Sequence, residues 1–261
     1  MRPYSRIIQK MIGRMEMDYP ALDSFLHSFD SDVYIVGGFI RDSLEGKESR
    51  DIDIIVDAPA TWIEDYLNNK HVSYKRNHFG GFKFYFGKEI DLWSLDDNWA
   101  FKNGFVPALH QDMLHYIALG CFYNYDSLVV NYKTLEFNLS NYIGFLRTKV
   151  LKIVYENNEY FWENPTSIAN VCRALWISEQ TGAQISVQVQ AYMSSVLEEF
   201  IDKSDDYLAN LSSKLNEYPK YQGVVGYTDV IRFYKEYQQK KDGILKFYDY
   251  KPMIKQLEFD F

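Results

Sequence analysis

Asp51 and Asp53 stand at the start of an apolar run, Ile54-Ile55-Val56. An extended chain alternates its side chains, so both carboxylates fall on one face. Two like charges on one face of an otherwise apolar strand repel each other and are costly to desolvate. A divalent cation relieves both costs, and magnesium favours carboxylate oxygens together with phosphate oxygens of a substrate. About 13 residues upstream, Gly37 and Gly38 follow the apolar run Val33-Tyr34-Ile35-Val36. They precede a helical pattern, Phe39 to Leu44, that Gly46 closes. A glycine pair between strand and helix lets backbone N–H groups approach a ligand closely, and a helix start favours phosphate. Taken singly, a glycine pair is more often a plain turn, and Asp-x-Asp more often a solvated strand face. Together, with Arg41 and Asp42 between them, they point to a phosphate cradle beside a carboxylate metal site.

The two motifs, V-G-G-x-x-R-D at Val36 to Asp42 and R-D-I-D-I at Arg50 to Ile54, resemble a known head domain. It is that of class II CCA-adding enzymes and bacterial poly(A) polymerases, in the DNA polymerase beta-like nucleotidyltransferase superfamily. The resemblance implies an α+β fold, with a mixed sheet and flanking helices in the head and an all-helical neck and body after it. It also implies two magnesium ions, with manganese as a substitute, and transfer of an NMP from an NTP to a hydroxyl with release of pyrophosphate. On that pattern Asp51 and Asp53 bridge both ions. A third carboxylate follows a Phe-Gly-x-x-x segment on a neighbouring strand. Phe79-Gly80-Gly81 and Ile90-Asp91-Leu92 fit this layout, which makes Asp91 the third ligand and Glu89, alternating onto the same face, the fallback. Gly37 and Gly38 would hold the β- and γ-phosphates. Arg41 either pairs a phosphate or locks Asp42 in a structural ion pair.

Elsewhere the chain departs from the family pattern. The Arg-Arg-Asp-Phe-Thr segment that ends the head reads here as Gly120 to Ser127, without those arginines. The neck motif Glu-Asp-x-x-Arg reads Glu163-Asn164-Pro165-Thr166-Ser167, although Arg173 survives in its frame as a nucleotide-binding candidate. An Asn and a Ser in these places imply weak base preference, or reading of one base with help from stacking aromatics such as Tyr123, Tyr125 or Trp162. The expected acceptor is a tRNA-like RNA 3′ end. The alternatives are a small molecule or protein acceptor, and a nucleotide-binding module without catalysis.

Composition bounds these readings. The chain has 261 residues, 47% hydrophobic and 17% aromatic, enough for a packed core in one large or two small domains. A net charge of −8 excludes a surface uniformly attractive to nucleic acid, but not a basic stripe. Such a stripe lies in 219–255, where eight basic residues face four acidic ones among Tyr and Phe. Arg232, Lys235, Lys240, Lys241 and Lys246 are its candidate RNA contacts. Cys121 and Cys172 suit buried thiols, and neither His110 nor His115 has a partner at ligand spacing. No run is long and apolar enough to span a bilayer, and the first residues lack a signal-peptide core, so a cytoplasmic protein is expected.

The spacing predicts two helices within 5–29 separated by Pro20, a helix over 60–69, and strands near 72–75, 82–86 and 89–94. Helices follow at 141–155, after an Asn164 cap with Pro165 in the first turn, and near 187–201, 204–217 and 228–241. The domains read as a head over 1–137 and a helical neck and body over 138–261.

Overall fold

A computed structural model of the chain describes residues 2–77, 79–107, 111–155, 158–203, 206–221 and 223–244. The chain divides into two compact units, Met1–Tyr155 and Glu156–Phe261.

The first unit is built on a seven-stranded sheet. Its strands are β1 (Val33–Val36), β2 (Asp51–Val56), β3 (Tyr74–Arg76), β4 (Phe82–Tyr85), β5 (Glu89–Ser94), β6 (Val129–Asn131) and β7 (Phe137–Asn138). They lie in the order β3-β4-β5-β2-β1-β6-β7. Only β2 and β5 run parallel; every other neighbouring pair is antiparallel. A parallel pair needs a long crossover, and the chain between β2 and β5 supplies one with helix α4 (Ala60–Asn69) and the β3–β4 hairpin arm. β2 lies in the middle of the sheet, where its alternation is sharp. Ile52 and Ile54 are wholly buried, while Asp51 and Asp53 on the opposite face are half-buried.

Helices α1 (Arg2–Asp18) and α2 (Pro20–His27) meet at Tyr19, and Pro20 occupies the first turn of α2, where its missing N–H costs nothing. Phe25 of α2 packs edge-on against Phe84 of β4 and Tyr66 of α4. On the other face of the sheet, after the short α5 (Trp99–Lys102), α6 (Met113–Gly120) lays Met113, Ile117 and Ala118 over Tyr34, Ile55 and Val129, with Trp93 at the margin. This is the face that carries Asp51 and Asp53.

The first unit continues past residue 137, where the sequence places its end, to Tyr155. The reason is α7 (Ser140–Thr148), which is shorter than the helix expected over 141–155. Its Tyr142 and Phe145 are buried against Tyr125. The Tyr142 hydroxyl donates to Glu45 Oε1 at 2.8 Å, just beyond helix α3 (Gly38–Leu44).

The second unit contains α8 (Asn158–Trp162), α9 (Ser167–Thr181), α10 (Val187–Asp202), α11 (Tyr207–Asn216) and α12 (Tyr227–Ile244). Helix α9 packs against α10, α11 and α12. It starts later than the Asn-Pro signal predicts, because Asn164 does not cap the helix directly. Its Oδ1 accepts from Thr166 N at 3.0 Å, Thr166 Oγ1 at 2.8 Å and Asn170 Nδ2 at 3.0 Å, which forms a turn before the helix. Gly182, in the left-handed conformation, ends it as expected.

The Glu45–Tyr142 bond yields a first prediction. Burial pushes the Glu45 carboxyl up, but hydrogen bonds from Lys47 and Tyr142 outweigh that and hold it below the usual range. A depressed carboxyl contributes stability above its unfolded value and loses it as pH falls through the folded one. Tyr142→Phe should therefore lower stability by about 1.5–3 kcal/mol at neutral pH. Urea denaturation at stepped pH should show the gap from the parent narrowing in acid, and a pH-independent gap would refute the assignment.

Candidate active site

The parallel pairing of β2 with β5 sets Asp51 opposite Glu89 and Asp53 opposite Asp91. Period-two alternation then places all four carboxylates on one face of the sheet. Carboxylate oxygens of Asp51, Glu89 and Asp91 lie within 4.8 Å of one another, and among the described residues this is the group of acidic side chains able to hold a metal ion. Glu89 is thus a full member beside Asp91 rather than its substitute. Asp53, expected as a bridging ligand, is not in this tight group. It stands one register step further along β2, paired with Val36 at the end of β1, next to the Gly37 turn. Its charge still acts on Arg50 and on Cys121.

Burial pushes the Asp91 carboxyl above its ordinary value; Lys83 pulls it down, while Asp51 and Glu89 add to the rise. Two basic side chains flank the group. Arg50 Nε donates to Asp51 Oδ2 at 3.0 Å. Lys83 Nζ lies 2.7 Å from Glu89 Oε1 and 3.8 Å from Asp91 Oδ2. Three clustered carboxylates, one of them raised by burial, are the donor set that suits a hard divalent cation. The residues present therefore fit a metal.

The glycine turn is built around a second, separate charge group. Gly37 has φ 66° and ψ −122°, a conformation that side chains resist, and its N–H donates to Leu128 O at 2.9 Å. That N–H is committed to the fold, so a phosphate would meet Gly38 and the first turn of α3. Arg41, in α3, is buried, with its side chain only 7% exposed. It donates to Asp42 Oδ1 through Nε at 3.1 Å and Nη2 at 2.8 Å, and to Asp126 Oδ1 through Nη1 at 2.7 Å. Its guanidinium lies 4.6 Å from the centre of the Tyr125 ring. Arg41 and Asp42 do form an ion pair, one of the two roles open to them. Asp126 lies 85 residues from Arg41, so no local pattern in the sequence joins them.

The remaining candidates scatter. Tyr123 and Tyr125 are buried in the first unit and have no free face for a base, which corrects their proposed stacking role. Trp162 packs against Tyr192 in the second unit. Arg173 lies over the Trp176 ring at 4.7 Å. On α12, Arg232 is paired to Asp229 Oδ1 at 2.6 Å and, with Lys235, lines an open groove that also holds Leu208 and Ile231. Lys240 lines a second groove beside Phe233 and Tyr237. The Lys241 side chain, Lys246 and His110 lie outside the described residues; His115 is in α6.

Residues 33–93 match the Poly A polymerase head domain. The matched span runs from the first residue of β1 to Trp93 of β5, and so contains both glycines, the Arg41–Asp42 pair and all four carboxylates. The chain is also similar to an A-adding tRNA nucleotidyltransferase of Geobacter sulfurreducens, 27% identical over 180 residues, which are 66% of this chain and 20% of that protein. The fold is shared with solved structures. One is a CCA-adding enzyme with ATP, with a TM-score of 0.59 and 17% identity over 95% of this chain and 57% of the other. Another is the Thermotoga maritima CCA-adding enzyme complexed with tRNA, with a TM-score of 0.59 and 18% identity over 94% and 57%. The chain thus spans about a fifth of the length of this curated relative and little more than half of these structures. Among the described residues no helix is long and apolar enough to cross a membrane.

The buried Arg41 group gives a second prediction. Removing one member of a buried ion pair leaves an uncompensated charge, a loss of about 3–5 kcal/mol. Arg41→Met should unfold earlier on heating by that margin, and Arg41→Lys should recover little, since one ammonium cannot reproduce the forked contacts. Near-parental stability of Arg41→Met would show that the pair does not anchor the turn.

Proposed function

We propose that this protein is a metal-dependent nucleotidyltransferase that moves an NMP from an NTP to an acceptor hydroxyl, most simply that of an RNA 3′ end. The observation that carries this reading is the Asp51–Glu89–Asp91 carboxylate group on paired strands beside the glycine turn. The matched head domain and the tRNA-processing relatives support it.

In this reading Asp51, Glu89 and Asp91 hold magnesium, or manganese in its place, and Asp53 extends the site toward the glycine turn. A divalent cation held by these carboxylates would supply neutralisation of phosphate charge and activation of the acceptor hydroxyl. The chain itself positions the reactants. Gly38 and the first turn of α3 present N–H groups to the triphosphate. Arg41, tied to Asp42 and Asp126, keeps that turn in place rather than touching the nucleotide. Asp91, whose carboxyl is raised by burial, is the group suited to take the acceptor's proton. Rate then comes from positioning and charge neutralisation, with no covalent intermediate. The protein works among soluble NTP and RNA, consistent with a cytoplasmic place. The basic and aromatic side chains of α12, Arg232, Lys235 and Lys240 among them, are the candidate surface for RNA backbone.

The test is incubation with labelled NTPs, magnesium and bulk RNA. Label on RNA supports the full reading, label on another acceptor moves the substrate class, and binding without transfer overturns the enzyme. Asp51→Ala and Asp53→Ala should each abolish transfer. In the absence of metal, each should leave thermal stability unchanged or higher, because carboxylate repulsion is relieved. Full transfer by Asp53→Ala would remove Asp53 from the site.

Base choice follows from Asn164, whose oxygen is already occupied by three local donors. An oxygen so engaged has little capacity left to accept from a base edge, and Ser167 is too short for a forked contact. Transfer kinetics with each of the four NTPs on tRNA lacking its CCA end should show weak base preference, or preference for one base. Ordered addition of C, C and A would overturn this.

A further inference from the structure

Lys83 Nζ lies within ion-pair distance of both Glu89 and Asp91, and the metal reading has no role for it. It lies on β4 directly opposite Asp91 in the antiparallel register with β5, so the sheet itself aims it at the carboxylates. Its Nζ donates to Glu89 Oε1 at 2.7 Å and lies 3.8 Å from Asp91 Oδ2. Glu89 and Asp91 are two of the three residues whose oxygens converge tightly enough for a metal ion. An ammonium and a divalent cation therefore compete for the same oxygens.

Exposure separates this contact from the buried Arg41 group. The Arg41 side chain is 7% exposed and cannot leave Asp42 without stranding a buried charge. The Lys83 side chain is 43% exposed, on a flexible stem whose ammonium hydrates readily. It can swing into solvent at little cost.

We propose that Lys83 is an internal counter-cation: it holds Glu89 and Asp91 together in the metal-free protein and withdraws to water when a divalent ion binds. This rests on the metal centre proposed above and deepens it. Lys83 is a positioning residue here, acting through the two carboxylates and touching no reacting atom. Holding the carboxylates against their mutual repulsion keeps the site assembled between turnovers. The same contact weakens metal binding, because the ion must displace a hydrogen-bonded ammonium and then share the site's field with it.

The experiment measures Mn²⁺ binding to the full chain without nucleotide, at low ionic strength, by the electron paramagnetic resonance signal of free Mn²⁺. Lys83→Met and Lys83→Gln should each bind Mn²⁺ roughly 3- to 10-fold more tightly than the parent, the range expected for losing one half-exposed competing charge. Lys83→Arg should stay near the parent, and Asp91→Asn should bind more weakly. Added Mn²⁺ should also raise the melting temperature of Lys83→Met by more than that of the parent. Equal or weaker Mn²⁺ binding by both Lys83→Met and Lys83→Gln overturns the inference, while the loss in Asp91→Asn leaves the metal centre standing. Mn²⁺ binding that Asp91→Asn does not change overturns the centre itself.

Discussion

The parallel pairing of β2 with β5 is the constraint on which the site depends. It is the one parallel contact in an otherwise antiparallel sheet, and it alone sets Asp51 against Glu89 and Asp53 against Asp91. A slip of one residue would turn Glu89 and Asp91 to the opposite face and bring Ile90 and Leu92 out of the core. The register is therefore held by apolar burial: Ile52, Ile54, Ile90 and Leu92 are wholly buried behind the carboxylates. The same alternation that buries four aliphatic side chains assembles four acidic ones. Concentrated negative charge, unfavourable by itself, is carried by a strand pair that the core stabilises for other reasons.

Two kinds of charge contact surround this group, and they differ in permanence. Arg41 is buried, forked between Asp42 and Asp126, and covered by Tyr125, so it behaves as part of the framework. It joins the start of α3 to the segment before β6, whose Leu128 carbonyl also receives the Gly37 N–H. The unusual backbone at Gly37 is thus fastened from both sides. Arg50 and Lys83, by contrast, are half to mostly exposed and approach the carboxylates from the rim. Fixed charges shape the turn, and movable ones neutralise the cluster.

The second unit repeats the theme of polar groups used up locally. Asn164 satisfies two donors of Thr166 and one of Asn170, and Asn170 also reaches the Tyr192 hydroxyl. A buried amide with this many partners is a structural element, and its oxygen has little capacity left for a ligand. The basic residues of α12 are placed the opposite way, on an outer face beside two grooves, the one at Arg232 and Lys235 largely apolar and the one at Lys240 mixed.

Much of this was determined by the sequence alone. The glycine pair, the Asp-x-Asp strand and the residues on each face of β2 and β5 follow from local rules of backbone freedom and alternation, which need no knowledge of distant contacts. Pro20, Gly182 and the amphipathic periods placed most helices to within a few residues. What the tertiary structure decided lies in contacts between residues far apart along the chain. It chose Glu89 and Asp91 over Asp53 as close companions of Asp51, because strand twist and pairing set side-chain convergence and spacing does not. It brought Asp126, 85 positions away, onto Arg41. It buried Tyr123 and Tyr125, carried the first unit on to Tyr155 through the Tyr142–Glu45 bond, and aimed Lys83 at the carboxylates. A sequence shows which face a side chain takes; only packing shows what it meets there.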